Sequence, residues 1–432
     1  MCDPSRGVRL VHKRSSTFHD FPYCGAQRKC LHAWIVNVTP PGFDHCMHQC
    51  LYCYARDAIF SRPSGGTLEV YDNLPELVAR DLDRMTLCPP LSISNTTDPC
   101  QRIPELRREV ARLVRLLVAR GVSFLIVTKG DATFLLEVEG FAAHERKFVA
   151  TTIEGPPEVL RLLSPRAPTF DERLDSVRRL NAAGVKTAIR LDPLLPHVAQ
   201  AVYGPEWQSE VEWAIEQFAL AGCGHVTCST GRLSRKPPPG LGYVVPPSGG
   251  VRSPAFRRSS LTQVGHPPTG GSEQEKGTPE GSVQTPPKGG TTYRGPESSF
   301  ERVRRLIADL DPPSAEEFAR DYVFDRSGTS TGYLWRRPAR LEFHRRTREL
   351  CETLGMTYST CQENSAEETD SPGLSNCEGY PLPFCRKMPD GRFEPVEGCT
   401  ALCHVTCKGK TAPPCGRPGL ATAAPLKISL LR

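Results

Sequence analysis

Three cysteines within eight residues, Cys46, Cys50 and Cys53, form a C-x3-C-x2-C loop that directly follows an apolar, strand-like run at 33–38. Thiolate sulfur is the soft, anionic ligand that iron–sulfur chemistry needs. The spacing suits three corners of a cubane cluster and leaves its fourth iron without a protein ligand. The same loop also offers zinc a Cys3His set, with His48 beside the three cysteines, although structural zinc loops usually draw paired ligands from two separated places. A disulfide reading fails, because three cysteines in so short a loop cannot pair off among themselves.

The rest of the composition favours thiols kept as ligands. At 432 residues the chain has room for one large domain and an appendage. It has no run of 18 or more apolar residues, so no membrane span is expected. Residues 1–14 are polar and lack the apolar stretch of a secretory signal, so a cytoplasmic location is the expectation. Eighteen cysteines in such a chain argue for metal or cluster ligands over a disulfide framework. The net charge of +6 is a poor argument for a nucleic-acid surface. Nine lysines and arginines against four glutamates put +5 of it between residues 232 and 299, which leaves the remainder near neutral.

From residue 33 onward, strand-like and helix-like segments alternate. Apolar runs lie at 34–38, 91–94, 124–128, 148–152, 186–191 and 225–228. Helical periods lie at 74–85, 104–120, 170–183 and 206–221, with at most a short helix at 134–138. Strands alternating with helices imply a parallel sheet. Six such units make an α/β fold of the partial, open (β/α)6 barrel kind. Between 234 and 299 the composition collapses into Pro, Gly, Ser, Thr and Gln, which cannot bury enough apolar surface to fold. The expected organisation is an N-terminal extension at 1–32, the barrel at 33–231, a disordered insertion at 232–299, a helical completion at 300–350 and a cysteine-rich module at 351–432. Helical pattern resumes in the completion at 300–310, 315–322 and 340–354.

Barrel chemistry gathers where strands end and βα loops begin. The polar residues that fall there are Ser94 to Asp98, Lys129 and Asp131, Thr151 to Glu154, and Arg190 with Asp192. In the C-terminal module the run Cys399, Cys403, Cys407 has C-x3-C-x3-C spacing among Gly and Pro. It reads as a second iron–sulfur site with a fourth ligand from Cys361 or Cys377, or as a zinc site in which His404 can take part. Cys2, Cys24, Cys30, Cys88, Cys100, Cys223 and Cys228 read as buried small hydrophobes or incidental thiols. Cys100 is also a candidate hydrogen-atom donor, because it follows the second strand's loop.

The cysteine loop closely resembles that of the radical S-adenosylmethionine superfamily. Asn95 to Gln101 with Pro104 and Glu105, then Val127 to Lys129, Leu163 to Pro168 with Arg173, and Asp192 with Pro193 resemble its spore photoproduct lyase-like, "DNA repair photolyase" branch. The resemblance spans about residues 33–229. It implies a 4Fe-4S cluster on Cys46, Cys50 and Cys53, whose open iron chelates S-adenosylmethionine, and an electron donor such as flavodoxin or ferredoxin. One electron then splits the sulfonium into a 5'-deoxyadenosyl radical that abstracts a hydrogen atom from a substrate. It also implies that Ser94 or Asn95 and Lys129 lie near the methionine part of the cofactor, Thr151 or Thr152 near its ribose, and Tyr52 near its adenine. Glu154, Arg190 and Asp192 would serve cofactor or substrate, or bridge the barrel mouth as salt bridges.

Two departures bear on the substrate. The spore enzyme has a cysteine hydrogen donor at the end of strand two, where this chain reads Leu91, Ser92, Ile93, Ser94, Asn95. It also lacks a cysteine-rich tail. The family suggests a nucleic-acid lesion as substrate, whereas the tail and the near-neutral core suggest a small molecule or peptide. The competing readings are a non-catalytic zinc or iron–sulfur protein and a two-cluster electron carrier.

Overall fold

Six of the apolar runs become parallel strands because both their faces are covered, the condition under which parallel strands read as continuous apolar stretches. In a computed structural model, residues 7–15, 17–20, 31, 34–56, 66–234, 297–325, 332–361, 363–421 and 428–432 are described. The main sheet contains β1 (Phe18–Asp20), β2 (Trp34–Val36), β3 (Leu91–Ile93), β4 (Phe124–Thr128), β5 (Lys147–Thr152), β6 (Thr187–Leu191), β7 (His225–Cys228) and β8 (Thr357–Thr360). Their spatial order follows the chain from β1 at one edge to β8 at the other. All neighbouring pairs from β2 to β8 are parallel, and only β1 runs antiparallel to β2. This is a mixed α/β fold with the parallel sheet of a partial barrel.

Two strands exceed the expected six. The segment Thr357–Thr360 is polar and β-branched and lies inside the stretch expected to be a cysteine module, yet it pairs with β7. Polar strands give no hydrophobic signal, so the sheet edge was hidden. The helices are α1 (Leu74–Asp83), α2 (Pro104–Arg120), α3 (Pro157–Leu163), α4 (Phe170–Ala182), α5 (Pro196–Tyr203), α6 (Trp207–Leu220), α7 (Ser299–Leu310), α8 (Pro312–Asp321) and α9 (Arg337–Thr353). Helices α3 and α5 escape a periodicity reading because each is barely two turns long and starts at a proline. The short segment expected at 134–138 is a 3-10 turn, Thr133–Glu137.

The two faces of the sheet differ in what covers them. Ile126 and Val149 pack with Leu106, Val110, Leu113 and Leu117 of α2. Ile189 and Val226 pack with Phe170, Leu174 and Val177 of α4 and Phe218 of α6. On the opposite face, Leu125, Phe148, Ala150 and Ala188 meet Leu31 and the tail residues Leu382 and Leu402. The tail is also tied there by polar bonds. Thr227 and Ser359 hydroxyls each donate to the Cys377 carbonyl at 2.7 Å, and Tyr380 Oη donates to the Thr187 carbonyl at 2.7 Å. Gly379, at φ +81°, passes so close to His225 that a Cβ would lie 2.2 Å from its ring. Only glycine fits that approach.

The insertion expected at 232–299 falls mostly on residues 235–296, which lie outside the described residues. Its two ends belong to the fold. Leu233 pairs with Tyr333, with N–H to O distances of 3.0 and 2.9 Å, and the Ser234 amide donates to Ser299 Oγ at 2.8 Å. Among the described residues, no helix is long and apolar enough to cross a membrane.

Candidate metal and cofactor site

The cysteine loop is held from four directions. The Met47 amide donates to Gln101 Oε1 at 2.6 Å, and Gln101 Nε2 returns a bond to the His45 carbonyl at 3.2 Å. The Leu51 amide donates to the Leu163 carbonyl at the end of α3, at 2.8 Å. Arg302 of α7 donates from Nε to the Leu51 carbonyl at 2.7 Å and from Nη2 to the Cys53 carbonyl at 3.4 Å. Asp98, beyond β3, is the fourth anchor. Its carboxylate lies 3.2 Å from His48 Nε2 and accepts from the Lys129 amide at 2.5 Å, Thr128 Oγ1 at 2.6 Å and the Cys100 amide at 2.8 Å. Burial opposes ionisation of Asp98, but His48 and these donors outweigh it and hold its carboxyl well below the usual range.

Within the loop, Gln49 is held left-handed at φ +54°. A non-glycine residue accepts that conformation only where its surroundings impose it. Cys46, Cys50 and Cys53 are close enough to oppose one another's ionisation. Burial is the larger cause and pushes all three thiols up, Cys50 to about 12, against the pull of Lys129. Such thiols become thiolates when a bound metal centre supplies positive charge. Among the described residues, no three Cys, His, Asp or Glu side chains converge on a point where a single ion would sit. Three free thiols in one loop, with the Lys129 cation beside Cys50, are a donor set that fits a cluster with three protein corners.

Beside Cys50 lies a buried ion group. Glu154, beyond β5, accepts from Tyr52 Oη at 2.5 Å on Oε1 and from Arg173 Nη1 at 2.6 Å on Oε2, while Lys129 Nζ stands 3.9 Å from Oε1. Lys129 also sits 5.5 Å from the centre of the Tyr52 ring. Burial favours a neutral Glu154, but Arg173 and Lys129 together hold its pKa below the ordinary value. Burial likewise works against the Lys129 ammonium, and Cys50 with Glu154 raises it above the ordinary lysine value. Arg173 is fixed further by bonds to the Pro168 carbonyl at 2.8 Å, the Thr152 carbonyl at 2.7 Å and Ser164 Oγ at 2.9 Å. The Thr169–Glu172 capping box starts α4 and sets Arg173 in its first turn.

The remaining sequence candidates separate. Ser94, at φ +58°, bonds Thr97 through its hydroxyl at 3.1 Å, and Ser92 donates to Asn95 at 2.5 Å, while Thr97 also meets Thr39 at 2.6 Å and the Asn95 carbonyl accepts from Tyr54 Oη at 2.9 Å. Thr151 pairs in register with Ile189 and so shares the helix-covered face, whereas Thr152 pairs with Arg190 on the other face. Of the two threonines, only Thr152 shares a face with Arg190. That arginine donates to Glu378 and Asp192 and, at 3.3 Å, to Cys361 Sγ. Cys377 stands close enough to Arg190 to favour its charge. Cys100 is wholly buried in the core that includes Ile103 and Leu106, an environment for packing rather than for a hydrogen-atom donor facing a substrate.

The tail cysteines fall into two groups. Cys399 and Cys403 interact electrostatically with Cys407 and Cys415, while Cys361 and Cys377 sit at Arg190. Cys415 follows Cys407 by eight positions across a Pro-rich loop, so the local spacing did not single it out. The side chain of His404 lies outside the described residues, as do Cys2, Cys24 and Cys30. Cys88, Cys223 and Cys228 are buried, in keeping with small core thiols. Sequence reading placed Asp98 at this edge without giving it a role, and missed Gln101 and Glu378 as parts of the site. The first two lay within the quoted motif, and the third had no local signal.

No protein-family model matches the chain. A radical SAM Nα-GlyT isomerase of Pseudomonas phage M6 is 20% identical over 398 residues, which covers 88% of this chain and 68% of that protein. The chain is similar to radical S-adenosylmethionine proteins. An uncharacterized protein of Mycobacterium tuberculosis is 25% identical over 236 residues, 51% of this chain and 67% of its own. Two solved structures of spore photoproduct lyase variants each cover 82% of this chain and 81% of theirs, with a TM-score of 0.49, at 16% and 15% identity. The second was determined with bound AdoMet and dinucleoside spore photoproduct.

Proposed function

We propose that this chain is a radical S-adenosylmethionine enzyme. The observation that carries the reading is the meeting of Cys46, Cys50 and Cys53, one loop after the first parallel strand, with the buried group of Lys129, Glu154, Arg173 and Tyr52. In this reading the three thiolates hold a 4Fe-4S cluster that supplies the electron by which S-adenosylmethionine yields a 5'-deoxyadenosyl radical. S-adenosylmethionine carries an ammonium and a carboxylate of its own. Lys129 and Glu154 present the complementary charges beside Cys50, and Arg173 keeps Glu154 ionised so that it can accept. Tyr52 is oriented by its bond to Glu154, and Thr152 and Arg190 face the interior from β5 and β6. Ser94 and Asn95 serve this site by shaping the loop that ends in Asp98.

The substrate donates a hydrogen atom at the face bounded by Arg190, Asp192 and Cys361, and a carrier such as flavodoxin or ferredoxin supplies the electron. A relative named as an isomerase supports a rearrangement as the overall outcome. The test is 5'-deoxyadenosine formation by anaerobically reconstituted, dithionite-reduced protein given S-adenosylmethionine. Product from the parent protein and none from Cys50→Ala supports the reading. No product from protein that retains full iron and sulfide favours an electron carrier, and zinc in place of iron overturns it. Substrate class divides on salt dependence: affinity for DNA that falls steeply with salt favours a nucleic-acid lesion, and salt-independent turnover of a small molecule or peptide favours the alternative.

A further inference from the structure

The tail carries a second set of thiols whose geometry goes beyond the first site. Cys403 opens the short helix Cys403–Thr406 and Cys407 caps its end one turn later, with the Cys407 amide donating to the Cys403 carbonyl at 3.2 Å. Residues at that spacing share one side of a helical turn. Cys399 precedes them through Ala401, a non-glycine residue held left-handed at φ +61°. That turn aims the Ala401 amide at Cys399 Sγ, 3.4 Å away. The first cysteine loop shares the device, with Gln49 left-handed between Cys46 and Cys50. Cys415 lies just before the turn Pro418–Ala421, which packs on the helix bearing Cys403. All four thiols belong to one apolar cluster with Leu420 and Ala421. Cys399, Cys407 and Cys415 all stand close enough to Cys403 to interact with it electrostatically.

We infer that Cys399, Cys403, Cys407 and Cys415 hold a second iron–sulfur cluster with every corner filled by a protein thiolate. Four cysteines gathered on one apolar core, two of them a helical turn apart and a third turned toward them through Ala401, offer a complete set of thiolate corners for a cubane. A filled set leaves no iron open to substrate, so this centre passes electrons or staples the tail. Stapling has a direct structural consequence. Leu402, between Cys399 and Cys403, packs with Leu125 and Phe148 on the inner face of the sheet. The inference rests on the tail alone and stands whether or not the first loop performs radical chemistry.

The test uses the full chain carrying Cys46→Ala, Cys50→Ala and Cys53→Ala together, purified without oxygen. About four irons and four sulfides should remain, with a reduced-cluster paramagnetic signal that S-adenosylmethionine does not alter. Adding Cys415→Ser should remove most of that iron, and adding Cys361→Ser should leave it. Retention in the Cys415 variant, loss in the Cys361 variant instead, or one zinc without sulfide would overturn the assignment. Because a Cys415 variant can fail to fold, alkylation of the parent protein gives a second reading. Cys399, Cys403, Cys407 and Cys415 should be shielded together in the holoprotein and alkylated together once iron is stripped, with Cys361 unchanged between the two states. Alkylation of any one of the four in the holoprotein would also overturn the proposal.

Discussion

The two cysteine groups differ less in their thiols than in what surrounds them. Around Cys50 stand Lys129, Glu154, Arg173 and Tyr52, ion-paired and buried, with Asp98 and His48 behind the loop. Around Cys403 stand Leu420, Ala421 and the apolar core. The first group has three thiols and a charged wall. The second has four thiols and an apolar one. A charged wall suits a site that must receive a polar, charged molecule, because only paired charges and fixed donors repay desolvation. An apolar wall with a filled ligand set suits a site that receives nothing.

That contrast can be broken, beginning with the largest effect. Cys50→Ala should bring 5'-deoxyadenosine below detection while the tail keeps its iron, and Cys415→Ser should do the reverse at the metal level; paired iron and product assays check both. Acid comes next. Asp98, Glu154 and Glu363 all have lowered pKa values in the folded chain, Glu363 to about 2 where it faces His344, Ser229 and Thr230. Their stabilising contribution is complete above the unfolded carboxylate values of about 4 and is lost as pH falls through the folded ones. Urea unfolding at pH 7, 4 and 3 should show that loss, and Glu363→Gln should shrink it.

Single substitutions sharpen the comparison further. Arg173→Ala leaves Glu154 buried without its closest cation and should destabilise the chain by about 3–5 kcal/mol, seen as a lower urea midpoint. If stability holds instead, the charged wall is not an integral part of the fold. Gln101→Ala removes two bonds that tie the cysteine loop and should cost about 1–3 kcal/mol. Its signature is a raised KM for S-adenosylmethionine with tail iron unchanged. Equal loss of iron at both centres would show that the loop and tail do not behave as separate regions.

Much of this was legible in the chain because it is local. Strand β4 and helix α2 have the bounds that their apolar pattern gives, and Gly121 at φ +69° ends α2 as a helix-stopping glycine should. The cysteine loop is readable because its three thiols sit within eight residues of sequence. Thr357–Thr360 was not legible, since a polar edge strand is specified by its partner β7 and not by its own composition. Nor was the pairing of Arg190 with Glu378, which joins residues 188 positions apart.

By itself, the sequence determined the alternation of strand and helix, the edge at which polar residues collect, and the three-thiol loop, because each depends on spacing within a few residues. Only the tertiary structure decided which charges wall that loop, which of Thr151 and Thr152 shares a face with Arg190, and that Cys361 and Cys377 sit at Arg190. Those choices follow from how distant segments pack on the two faces of one sheet, and packing between distant segments leaves no periodic trace in either of them.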